Sequence, residues 1–172
     1  TDAAVGTASL SGIETGDVVT IDASPSEWDF ASANVGNGIA VSATTDSYTI
    51  TGANVGNYTV TQPSGLSANI TPKVLTITGI TPDNKVYDGN TTATVSGTPA
   101  LSGVISPDAV TLNSGSVAYA FAAADVADDI AVAGSGFTIS GTDVGNYSLT
   151  QPGAGLDANI TPVELTITAE DK

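Results

Sequence analysis

The chain has 172 residues, 41% hydrophobic but only 12% charged, so much of its surface polarity must come from Thr, Ser, Asn and Gly, a mixture suited to strands and turns. Acidic residues outnumber Lys by 18 to 3, Arg is absent and the formal net charge is −15, which argues against nucleic acid or an anionic membrane surface as a partner, since both need a basic footprint. Cys, Met and His are all missing, which removes disulfides, the usual zinc and transition-metal ligand sets, and Ser–His–Asp or Cys–His catalysis; among metals only a hard, oxygen-ligated ion such as calcium is left.

In chain order, LSGIETGDVVTI (10–21) and FASANVGNGIAV (30–41) return as LSGVISPDAVTL (101–112) and FAAADVADDIAV (121–132), at an offset of 91. NVGNYTVTQPSGLSANITPKVLTIT (54–78) returns as DVGNYSLTQPGAGLDANITPVELTIT (143–168); the offset is 89 at Tyr58/Tyr147 and 90 at Asn69/Asn159, so one loop residue is inserted. Two modules of about 90 residues follow. The first, 1–72, has no counterpart of VLTITGITPDNKVYDGN (74–90) and is expected to lack its opening strand or strands. The second, 73–162, reads as complete, and 163–172 (VELTITAEDK) copies KVLTITGITP as the first strand of a third repeat. The cut therefore falls out of phase with the repeat, as in a piece of a longer protein.

Within the second module, Val, Ile and Thr alternate with polar residues between Gly, Pro, Asn and Asp, the pattern of short strands. It predicts strands near Val74–Thr78, Thr91–Ser96, Ala109–Asn113, Ser116–Phe121, Asp129–Ala133, Phe137–Ser140, Tyr147–Gln151 and Ala158–Thr161, with one short helical turn in FAAADVADD. The expected fold class is all-β: two tandem small β-sandwich modules, immunoglobulin-like with β-grasp-like as the alternative, and little helix. No apolar run reaches the roughly 20 residues that span a bilayer, so direct membrane insertion is not expected.

Tyr58 and Tyr147 follow NVGN and DVGN at the entry to a late strand. They resemble a tyrosine corner, whose hydroxyl bonds to upstream backbone, with Gly56 and Gly145 permitting the turn; a half-buried core aromatic is the alternative. Asp83, Asn84, Asp88 and Asn90 crowd one loop and are the candidate calcium ligands, against the plainer reading of turn residues whose side chains bond local backbone. Lys85 in the same loop suggests a Lys–Asn or Lys–Asp isopeptide link, against a solvated or stem-packed lysine. Asp125, Asp128 and Asp129 are close in sequence, but Asn34, Asn37 and Gly38 replace them in the first module, so no carboxylate pair for glycoside hydrolysis belongs to the repeat. Trp28 and the matching Tyr119 are possible ligand contacts, the alternative being core. The five Asn-x-Ser/Thr sites, Asn57, Asn69, Asn90, Asn146 and Asn159, reflect Thr-rich strands.

KVYDGNTTATVSG (85–97) followed by GTDVGNYSLTQPGAGLDANITP (141–162) resembles the YDG-type module, related to MBG modules, of large bacterial surface and secreted adhesins of the haemagglutinin kind. Tyr87, Asp88 and Gly89 carry the YDG signature. The resemblance implies a small β module strung in arrays on an extracellular stalk at the bacterial surface or in a secreted protein, without catalytic residues or a cofactor beyond possible calcium. The expected function is a structural spacer that presents a binding tip; the alternative is an adhesive module that itself contacts host glycan or protein. Neighbouring modules are the expected partners, and 163–172 is a candidate for strand exchange between copies.

Overall fold

The computed structural model describes residues 8–22, 27–43, 47–153 and 155–169. The chain divides into two compact units, Thr1–Thr71 and Pro72–Lys172. The division falls at the Thr71–Pro72 junction, so Pro72, expected at the end of the first module, opens the second unit; 163–169 groups with that unit too.

In the first unit, β1 (Thr20–Asp22) pairs antiparallel with β4 (Thr49–Thr51). A second sheet is built from β2 (Trp28–Phe30), β3 (Gly36–Ala43) and β5 (Ser67–Ile70), with β3 in the centre. The buried apolar side chains of the first unit among the described residues are Val19, Trp28 and Val41.

The second unit repeats that layout and adds strands to it. β10 (Ala118–Phe121), β11 (Ala127–Ser135) and β14 (Asp157–Thr161) match β2, β3 and β5, and the short β7 (Lys85–Val86) extends them by pairing parallel with β14. β9 (Thr111–Asn113) and β12 (Thr138–Ser140) match β1 and β4. The added sheet places β6 (Lys73–Pro82) between β8 (Val95–Ser102), antiparallel, and β13 (Tyr147–Leu149), parallel. Alternate residues of each strand face inward, and Phe121, Ile130, Val132, Ala158 and Ile160 with Ala93 form the main core, while Leu75 is fully buried on β6.

The fold is all-β and sandwich-like, as the alternation predicts. Several local expectations shift. β8 starts at Val95, and Thr92 contributes only an isolated bridge to Ala120, so the predicted Thr91–Ser96 strand lies mostly ahead of the real one. FAAADVADD forms bends running into β11 instead of a helical turn. The only helical geometry among the described residues is one 3-10 turn in each unit, Val55–Asn57 and Val144–Asn146, just ahead of the repeat tyrosines. The expected third-repeat strand is in no strand over its described residues, 163–169, because an apolar β segment needs a partner to satisfy its backbone.

Candidate functional site

The residues that the two copies share converge on four ties between side chain and backbone. In the second unit the Tyr147 hydroxyl donates to Asp108 Oδ2 at 2.6 Å and accepts the Ile105 N–H at 3.1 Å. In the first unit Tyr58 donates to Asp17 Oδ2 at 2.7 Å and accepts the Glu14 N–H at 3.0 Å. The hydroxyl thus reaches backbone 42 and 44 residues upstream, far beyond the few residues of an immunoglobulin tyrosine corner, and it adds a carboxylate partner. Donation to Asp108, with burial, raises the Tyr147 phenol above its ordinary value against the Ile105 N–H. For Tyr58 the Glu14 N–H is the largest influence and lowers the phenol, but Asp17 and burial together outweigh it and the net shift is upward.

The second tie fixes the turn ahead of each tyrosine. Asp143 Oδ2 accepts the Ala109 N–H at 2.8 Å, and Asn54 Oδ1 accepts the Val18 N–H at 3.0 Å. The glycines that this turn requires are Gly141 (φ 135°) and Gly52 (φ 139°), where a Cβ would collide with the carbonyl oxygens of Ala109 and Val18. Gly56 and Gly145, expected to serve that purpose, instead sit in the 3-10 turns, where a Cβ would meet nothing within 4 Å.

A third tie belongs to the Gln of the TQP motif. Gln151 accepts the Phe137 N–H (3.1 Å) and donates to the Phe137 carbonyl (2.9 Å); Gln62 does the same at Tyr48, at 2.8 Å for each bond. The fourth belongs to the Asn of ANITP. Asn159 Oδ1 accepts the N–H of Asp129 (φ 54°), and Asn69 Oδ1 that of Gly38 (φ 62°), each at 2.8 Å and each within a break in strand register. These amides clamp β-bulges whose extra residue would otherwise leave an N–H unpaired.

The candidate calcium ligands divide between other tasks. Asn84 Oδ1 accepts the Asn159 N–H at 2.8 Å, and the Asp83 backbone N–H bonds to the Thr94 carbonyl. Asp88 and Asn90 face the Lys85 ammonium, which lies 2.7 Å from Asp88 Oδ1, 2.7 Å from the Asn90 carbonyl, 3.2 Å from Asn90 Oδ1 and 3.2 Å from the Thr92 carbonyl. The ammonium also stands 5.6 Å from the Phe121 ring centroid. The loop that reads as a cation site is therefore organised around a lysine, and Gly89 (φ 78°) gives it the left-handed turn. The bonds from Lys85 and from the Asn90 N–H hold the Asp88 carboxyl below its ordinary value. Tyr87 donates its backbone N–H to the Thr161 carbonyl, and the residue is 40% exposed. Asp125, Asp128 and Asp129 form no metal-binding group: among the described residues no three acidic side chains are placed to hold an ion.

Trp28 is 5% exposed and packs against Tyr48 with ring centroids 6.1 Å apart, as Tyr119 packs on Phe137 at 6.3 Å. Trp28 is buried, and Tyr119 is partly buried against the core. Beside Trp28, however, the first unit opens a groove of about 450 Å³ lined in part by Val41, Ala43, Gln62, Pro63 and Leu66. The second unit has Gly134 where the first has Ala43, and a Cβ there would lie 2.7 Å from Pro152 Cγ and 2.8 Å from the Tyr119 ring. That contact is too close for a methyl group, so Pro152 packs down and is buried while its counterpart Pro63 stays exposed.

Both units thus define one class, a tandem all-β repeat whose shared polar residues brace its own backbone. The YDG domain family model matches residues 1–65 and 71–155, and the chain belongs to that family. No curated protein and no solved structure matches the chain.

Proposed function

We propose that the chain is a structural spacer: YDG modules repeated along an extracellular bacterial adhesin, holding a binding tip away from the cell. The observation that carries this reading is the use made of the shared residues. Tyr147, Asp143, Gln151 and Asn159, like Tyr58, Asn54, Gln62 and Asn69, each spend a side-chain oxygen or amide on holding backbone in place. Selection for a load-bearing module would keep such residues, whereas a recognition module keeps exposed ones. The excess of negative charge keeps closely spaced copies soluble.

The groove beside Trp28 favours a second reading, an adhesive module that binds glycan or host protein through its first unit. A screen of the intact chain against glycans and extracellular host proteins separates the two. A spacer shows no saturable binding; saturable binding that disappears in Ala43→Phe, which fills the groove, would overturn it.

A further inference from the structure

The sequence holds one Asn followed directly by Gly, the pair Asn37 and Gly38. Asparagine is chemically labile because the backbone nitrogen of the next residue can attack its side-chain carbonyl, and a glycine, having no side chain, leaves that nitrogen most open. β3 carries the pair at its break in register. Gly36 lies opposite Ile70 and Ile39 opposite Ala68, so Asn37 and Gly38 together face the single residue Asn69. Both are exposed, and a Cβ on Gly38 would meet nothing within 4 Å, which leaves the pair open to water. One contact stands against the reaction: the Gly38 N–H donates to Asn69 Oδ1 at 2.8 Å. In the second unit Asp128 and Asp129 occupy the matching positions under the same clamp from Asn159, so an acid in place of Asn37 is compatible with the bulge.

We propose that Asn37 is a latent deamidation site and that the Asn69 side chain holds it closed. The Gly38 nitrogen gives its proton to hydroxide or a buffer base and attacks Asn37 Cγ. The Cγ–Nδ2 bond breaks, Nδ2 takes up a proton and leaves as ammonia, and a cyclic imide remains. Water then opens the ring. Addition at Cγ breaks the new bond and leaves an aspartate; addition at the Asn37 backbone carbonyl carbon breaks the original peptide bond and leaves the chain running through Cγ as an isoaspartyl link.

Asn69 opposes this at two stages. Its amide oxygen accepts the Gly38 hydrogen bond but is too weak a base to remove the proton, so deprotonation forfeits the bond. The imide nitrogen carries no hydrogen, so the clamp is lost in the intermediate too, and the bulge must let go of β5 before the ring closes. The two products differ in consequence. Aspartate is the residue that the second unit already uses, whereas the isoaspartyl link adds a backbone carbon to the central strand of the sheet and displaces Ile39 and the buried Val41 from their register.

Incubation of the 172-residue chain in mild alkali, with mass mapping of peptic peptides that contain Asn37, reads the rate as the mass gain of deamidation. The folded parent should react at least ~10-fold more slowly than the same chain in guanidinium. Asn69→Ala should raise the folded rate at least ~5-fold, the equivalent of one lost hydrogen bond. Asn69→Asp keeps an acceptor and sets a negative charge against the nitrogen anion, so it should react no faster than the parent. Gln62→Ala separates the clamp from general loosening: it weakens the same unit at Tyr48 without touching the bulge, and should stay within about twofold of the parent rate. A folded parent that reacts as fast as the unfolded chain overturns the proposal. So does an Asn69→Ala rate equal to the parent's, an Asn69→Asp rate as high as that of Asn69→Ala, or equal acceleration by Gln62→Ala. The comparisons of parent, Asn69→Asp and Gln62→Ala stand even if Asn69→Ala does not fold.

Discussion

Replacing Gln62 by Ala removes both bonds that hold Tyr48, the aromatic partner of Trp28. Each such bond contributes about 1 kcal/mol, and the half-buried Tyr48 N–H and carbonyl recover part of their loss from water, so the first unit should lose about 2 kcal/mol. For a unit of this size that lowers the melting temperature by roughly 10 °C. Trp28 is the only Trp, so its emission follows the first unit alone, and the thermal transition can be read without interference from the second. Gln62→Glu sharpens the test. A carboxylate can accept the Tyr48 N–H but repels the Tyr48 carbonyl, whereas the protonated acid can donate to it as the amide does. The acid's folded pKa should therefore rise above the unfolded glutamate value of about 4.3. Its stabilising contribution is present below that value and is lost as pH rises through the folded pKa, so the variant should be closest to the parent in acid. A Trp28 transition within about 2 °C of the parent in Gln62→Ala, or a Gln62→Glu variant equally stable at pH 3.5 and pH 7, would refute the role assigned to this side chain.

Lys85→Met should destabilise the second unit by about 2 kcal/mol through the lost bonds to Asn90 and Thr92, measured by urea unfolding followed by circular dichroism. Gly141→Ala should cost more than about 3 kcal/mol, since a Cβ collides with the Ala109 carbonyl, while Gly145→Ala should change stability by less than about 0.5 kcal/mol; equal effects would contradict the placement of the turn. The raised Tyr147 phenol contributes stability that is full below the unfolded value near 10 and lost as pH rises through the folded one, so the melting temperature should fall above pH 10 and fall less steeply in Tyr147→Phe. The lowered Asp88 carboxyl has the opposite sign: its contribution is present above the unfolded carboxylate value and lost as pH falls through the lowered one, and acid titration of Asp88→Asn should lack that component.

The β class and the module period were legible because both depend on patterns spread over many residues, alternation within strands and recurrence between copies. Single-residue roles were less so. Gly145 beside the tyrosine looks like the turn glycine, yet the steric demand falls at Gly141, where the backbone passes close to a strand distant in sequence. Asp88 and Asn90 have the composition of a cation loop, and only the fold reveals that Lys85 occupies its centre. The bulge clamps at Asn69 and Asn159 left no local trace, because their partners Gly38 and Asp129 lie about 30 residues away. Their one available signal was recurrence in both copies.

The lysine enclosed by the YDG loop gives the second unit a chemical reporter. The Lys73 residue is exposed, whereas the side chain of Lys85 is 16% exposed and its nitrogen is engaged by four oxygens. Amine-directed acylation in the native state should modify Lys73 well before Lys85, and the gap should close as the loop opens. Peptide mass mapping of those two sites would then measure loop opening in the second unit without a spectroscopic label.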